Sequence, residues 1–164
     1  MLRSLLVAAP LALVASSAMG APTGTATDRA FVAKVSQGGM FEVAAGRLAE
    51  QRGATQDVRD FGAMEVHDHG LVGDRLKAAS ASAGIPVPAR LDAEFSGKMT
   101  RLAALSGPAF DRAYMAEMAT LHDGDGAAFA AEARNGSAGY RPFADETHRI
   151  VQRHIGAIRA LPPR

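Results

Sequence analysis

The chain contains no cysteine. Disulfides, thiolate metal sites, cysteine nucleophiles and a lipidated N-terminal cysteine are therefore excluded, and the fold must hold by packing alone. No run of alternating β-branched residues occurs, which argues against a sheet. After the first twenty residues, no stretch stays apolar for the ~20 residues that a membrane-spanning helix needs. A surplus of one charge is also lacking, with 18 basic residues against 17 acidic ones. That balance gives no electrostatic case for nucleic acid or anionic lipid as a partner. The serines lie in no nucleophile-elbow context, and no glycine-rich phosphate loop follows a strand.

What is present begins with a secretory pattern. Met1 to Gly20 carries one charge, Arg3, then an apolar run from Leu5 to Ala15, then small residues at Ala18 and Gly20 before Ala21. Cleavage is expected after Gly20, with Ala18 the runner-up, and the mature protein is expected in the periplasm. An uncleaved anchor is the alternative, but Pro10 interrupts the run. Residues 21–27 read as a linker, and 28–161 suffice for one domain with one core.

Within that domain the apolar residues recur at steps of three and four, the period of a helix face. Phe31, Val35, Gly38, Glu42, Ala45 and Ala49 form a first seam, with Thr27 as the expected N-cap and Gly53 as the stop. Small residues at Gly38, Gly39, Ala45 and Gly46 invite close approach of a neighbour. A second helix, capped by Thr55 or Asp57 and ended near Gly84 before Ile85-Pro86-Val87-Pro88, carries Val58, Phe61, Glu65, His69, Val72, Leu76 and Ala79 on one face. Leu91 to Leu105 holds a shorter helix. Pro108 opens a third long one through Phe110, Tyr114, Met118, His122 and Phe129, weakened by Gly124 and Gly126. Pro142 starts the last, whose seam includes Thr147, Val151, His154 and Ile158. The expected architecture is an all-α, antiparallel four-helix bundle, with the short fifth helix in the connection between its helix pairs.

Carboxylates and imidazoles interrupt these apolar seams at matching depth. At ~1.5 Å per residue, Glu42 lies about 16 Å before the turn at Gly53 and Glu65 about 15 Å after Thr55. His69 is one turn further on, and His122 and His154 each lie about 18 Å from the turn joining the last two long helices. Glu42, Glu65, His69, His122 and His154 are thus candidate ligands of a metal ion in the bundle core. Iron, zinc and copper would suit them about equally, Met118 being nearby. The alternative is architectural: each imidazole bonded to a carboxylate or carbonyl in a non-catalytic envelope bundle that meets protein partners or its own copies. A hydrolase using a Glu–His base is least supported, for want of a nucleophile or oxyanion device.

Other polar residues read as follows. His67 and His148 lie off the seams and are expected at the surface, while Asp68 and Asp123 neighbour seam histidines and could orient them. Asp123-Gly124-Asp125-Gly126 resembles the start of a calcium loop, but Ala127 and Arg134 fall at ligand positions. The methionines are read as filling gaps in the core.

Several motifs together carry a family resemblance: Ala30-Phe31, Gly39-Met40-Phe41-Glu42, Gly46-Arg47-Leu48-Ala49, Val58-Arg59-Asp60-Phe61, Asp68-His69, Leu105-Ser106-Gly107, Phe110-Asp111, Tyr114, Met118, His122 and His154. Across nearly all of the mature chain they resemble the bacterial exported family called domain of unknown function 4142. That resemblance implies a ferritin-like helical bundle and export, but no reaction. The family pattern usually has methionine four residues before the second-helix histidine. Here Glu65 stands there, a hard carboxylate for a soft thioether, which would alter metal preference.

Overall fold

The computed structural model describes residues 23–161, and these form five helices with no strand among them. They are α1 (Ala26–Arg52), α2 (Gln56–Ala83), α3 (Ala93–Ala103), α4 (Gly107–Asn135) and α5 (Arg141–Ala160). The secretory segment lies outside the described residues. Helix α1 starts at Ala26, two residues before the expected Asp28, because Thr25 and not Thr27 caps it. Thr25 Oγ1 accepts from the Asp28 N–H (3.1 Å) and Asp28 Oδ2 accepts from the Thr25 N–H (2.7 Å), a reciprocal capping box. Helix α4 runs unbroken through Gly124 and Gly126, since packing on α1 and α5 overrides their weak propensity.

Helix α1 packs on α2, α4 and α3, while α5 packs on α4 and α2. The α1–α2 turn is held from across the molecule by buried Asp111 of α4. Its carboxylate accepts from the Ala54 N–H (2.8 Å), the Thr55 N–H and the Thr55 hydroxyl (both 3.2 Å). Thr55 therefore sits at the N-cap of α2 but bonds Asp111 instead of its own helix. Tying this turn fixes the lengthwise register of α1, α2 and α4.

That register divides the interior into three layers. At one end Phe31, Val32, Val35, Val72, Leu76, Phe129, Tyr140 and Val151 cluster, with Phe31 edge-on to Phe129 and Tyr140 at 5.2 and 6.2 Å. At the other, Phe41, Ala45, Ala49, Val58, Phe61, Phe110, Tyr114 and Met118 do so. Between them lies a polar layer to which every long helix sends a buried ionisable residue: Glu42 from α1, Glu65 and His69 from α2, His122 from α4 and His154 from α5.

The close approach of α1 and α2 depends on two glycines. A Cβ on Gly46 would stand 2.7 Å from the Gly62 carbonyl oxygen, and one on Gly62 would stand 2.7 Å from that of Gly46. Gly39, in contrast, faces open space and brings nothing closer. Alanine at Gly46 or Gly62 should thus destabilise the protein by about 1–3 kcal/mol through forced separation. Alanine at Gly70 or Gly73, where a Cβ meets nothing within 4 Å, should stabilise it by up to about 1 kcal/mol through helix propensity. Urea unfolding of the four variants checks the opposed signs.

Candidate metal centre

Glutamate and histidine four residues apart lie one above the other on a helix, so α2 sends Glu65 and His69 into the same interior space. His122 enters from α4 and His154 from α5. All five ionisable side chains of this layer are 0–2 % exposed.

One ligand atom from each of Glu65, His69, His122 and His154 falls within 4.8 Å of all the others. His154 Nδ1 is 3.3 Å from His69 Nε2, 3.1 Å from His122 Nε2 and 3.0 Å from Glu65 Oε1. His69 Nε2 and His122 Nε2 each lie 3.3 Å from a Glu65 oxygen. Four ligands about 2.0–2.1 Å from a zinc ion at tetrahedral corners are separated by about 3.3 Å. The observed spacings are therefore those of atoms grouped around a common centre.

The far side of each ring supports the same geometry. His69 Nδ1 lies 2.7 Å from Glu42 Oε2, His122 Nδ1 donates to the Met118 carbonyl (2.9 Å), and His154 Nε2 lies 2.9 Å from Asp68 Oδ2. An imidazole whose outer nitrogen holds its proton against an oxygen presents a lone pair at the other, the usual arrangement of a metal-ligating histidine. All four oxygens of Glu42 and Glu65 are buried without a hydrogen bond of acceptable angle among the described residues, although imidazole nitrogens stand 2.7–3.5 Å away. The neighbouring imidazoles offset their charge, and carboxylate oxygens without a well-aligned donor are costly to bury.

The five predicted residues thus share one layer, with Glu42 beside the inner four and facing the outer nitrogens of His69 and His122. His67 is exposed, and His148 sits near the surface bonded to Gln152 (3.1 Å). Asp68 meets a seam histidine, but that histidine is His154 across the helix interface (2.9 Å) and not its neighbour His69. Asp123 orients none and lies 3.9 Å from Arg159 in solvent. Sequence reasoning missed Asp125, which is 2 % exposed. Gly38 makes room for it, since a Cβ there would lie 2.9 Å from Asp125 Oδ2. Its signal was its place three residues after His122 on the same face. A cleft of about 380 Å³ between α1 and α2, lined by Val35, Met40, Val43, Val72 and Leu76, reaches His69.

Electrostatics follow from this crowding. Burial alone would raise Glu65, but His122 and His154 outweigh it and bring its pKa down to about 2. Burial would lower His122, yet Glu65 and Glu42 raise it to about 9, and His69 is likewise raised against burial by Glu42 and Glu65. Asp68 is lowered in spite of burial by His154, His67 and Arg153. Asp125 is pushed up to about 7 by burial and by the Glu42 charge.

The family described as Domain of unknown function (DUF4142) matches residues 13–161. Among solved structures, a DUF305 fragment from Deinococcus radiodurans is similar with a TM-score of 0.73 at 14% identity, covering 84% of this chain and 96% of that one. At such identity the likeness shows the fold alone. No curated protein matches the chain.

The pKa directions set the pH dependence of the metal-free protein. The stabilisation from Glu65 is present above its ordinary 4.5 and lost as pH falls through about 2. That from His122 is present below its ordinary 6.5 and lost as pH rises through about 9. Asp125, raised from 3.8 to about 7, contributes fully below 3.8 and loses that contribution as pH rises through about 7. Thermal melts of metal-stripped protein should therefore peak at about pH 4–5 and decline from there towards pH 9. A stability maximum at pH 8 or above would contradict the ionisation pattern.

Proposed function

The chain belongs to the domain of unknown function 4142 family, and from that premise, since the family supplies no reaction, we propose that this protein is an exported metal-binding bundle that takes one transition-metal ion in its core. Glu65, His69, His122 and His154 are the inner ligands, and Glu42 stands behind His69 as its charged partner. The observation that carries this reading is the meeting of three imidazole nitrogens and the Glu65 carboxylate, one atom from each within 4.8 Å of all the others, with the opposite nitrogen of each ring turned to an oxygen.

Four protein ligands close a tetrahedral ion, whereas catalytic sites of this kind leave one position to water. Holding or buffering the metal, or protection against metal and oxidative stress, therefore fits better than catalysis. Nitrogen-rich donors with one carboxylate suit zinc, copper or iron. A ferritin-like four-helix arrangement is supported by the packing of α1 with α2 and α4, and of α5 with α4 and α2. A periplasmic location is supported by the leader pattern of residues 1–20.

The second reading, a structural envelope bundle with internal Glu–His pairs and a protein partner or second copy outside, has one observation in its favour. The 2.7 Å approach of His69 to Glu42 places opposite charges together with no metal needed.

Untagged protein from a periplasmic preparation should carry about one metal ion per chain, and intact-mass analysis should find Ala21 at its N-terminus. His122→Ala should abolish bound metal and, by leaving Glu65 and Glu42 less neutralised, should also lower the melting temperature of the metal-free form. Wild-type protein that is metal-free as isolated and takes up none in a zinc titration would favour the structural reading.

A further inference from the structure

Of the oxygens behind the three imidazoles, one reaches water. The Met118 carbonyl belongs to a fully buried residue and Glu42 is fully buried, but the Asp68 side chain is 15 % exposed. A helix turns about 100° per residue, so Asp68, next to His69, points away from the centre's α2 side and towards α5. There its Oδ2 meets both His154 Nε2 (2.9 Å) and the guanidinium of Arg153 (3.1 Å), while Oδ1 meets His67 Nδ1 (2.9 Å). Arg153 and His67 lie outside in solvent and His154 lies inside.

We propose that Asp68 is a positioning residue of the centre, which makes His154 a ligand through Nδ1. A carboxylate can only accept, so the ring nitrogen it touches must carry a proton. With Nε2 protonated, the Nδ1 lone pair faces Glu65, His69 and His122 at 3.0–3.3 Å. His122 reaches the same space through Nε2 because its Nδ1 is held by the Met118 carbonyl. The two rings thus enter with opposite nitrogens, each dictated by its outer partner. Glu65 Oε1 also lies 3.0 Å from His154 Nδ1 but makes no hydrogen bond there, whereas the Asp68 contact at Nε2 is one.

The affinity part of this inference rests on the metal-binding reading, while the tautomer is a property of the metal-free protein as well. Asparagine at 68 keeps the shape but can donate its amide to Nε2, which drives the proton to Nδ1 and fills the ligand position. In Asp68→Asn, zinc affinity should fall about 10–100-fold. Nitrogen-15 NMR of the histidines should show His154 moving from the Nε2–H to the Nδ1–H form. Arg153→Ala, which removes the neighbouring charge and leaves the acceptor, should keep the tautomer. Asp68→Ala, at a position that touches water, carries the same loss of affinity should the amide variant fail to fold. Unchanged zinc affinity in these Asp68 variants, or wild-type His154 lacking a proton on Nε2, would overturn the proposal. Wild-type protein that binds no zinc would overturn the metal reading alone, and the loss or retention of the Nε2–H tautomer in Asp68→Asn would still decide the role of Asp68.

Discussion

Glu42, Glu65, His69, His122 and His154 crowd together in the middle of the core, and the arrangement of the protein follows from how they neutralise one another. Glu42 and Glu65 bring negative charge into the core, and three imidazoles surround them. An isolated buried carboxylate is far too costly to keep, so the layer persists only as a set. In the metal-free form the pairing is ionic, with Glu65 lowered and His122 and His69 raised. A cation at the same point would replace protons on the imidazoles and satisfy the bare oxygens at once.

The surrounding fold keeps this layer dry and level. Aromatic and aliphatic clusters seal it at both ends. Asp111 of α4 clamps the α1–α2 turn and so sets the height at which Glu42, Glu65 and His122 meet. The backbone contact at Gly46 and Gly62 draws α1 and α2 together, just below the point where Glu42 and Glu65 face inward. Side-chain size at two glycines and hydrogen bonding at one aspartate, all outside the polar layer, therefore govern its geometry.

Much of this was legible in the chain because helical period and rise are regular. Steps of three and four put Glu65 with His69, and 1.5 Å per residue put Glu42, His122 and His154 at their height. What rise and period cannot convey is where a side chain ends. Glu42 falls level with Glu65 yet faces the outer nitrogens, and Asp68 reaches past its own neighbour to a histidine 86 positions away. Asp125 was passed over because its sequence invited comparison with a calcium loop, although its spacing from His122 places it on the buried face. The α1 cap moved from Thr27 to Thr25 because a reciprocal bond with Asp28 requires a spacing of three.

The central claim is that this layer is a metal site and not a set of ion pairs, and the most direct measurement is X-ray absorption at the zinc edge on protein loaded with one equivalent. The account predicts a four-coordinate shell of nitrogen and oxygen at about 2.0–2.1 Å with histidine scattering, lost when Glu65 is replaced by glutamine and His154 by alanine. A six-coordinate, water-rich shell that survives both replacements would place the ion on the surface and contradict it.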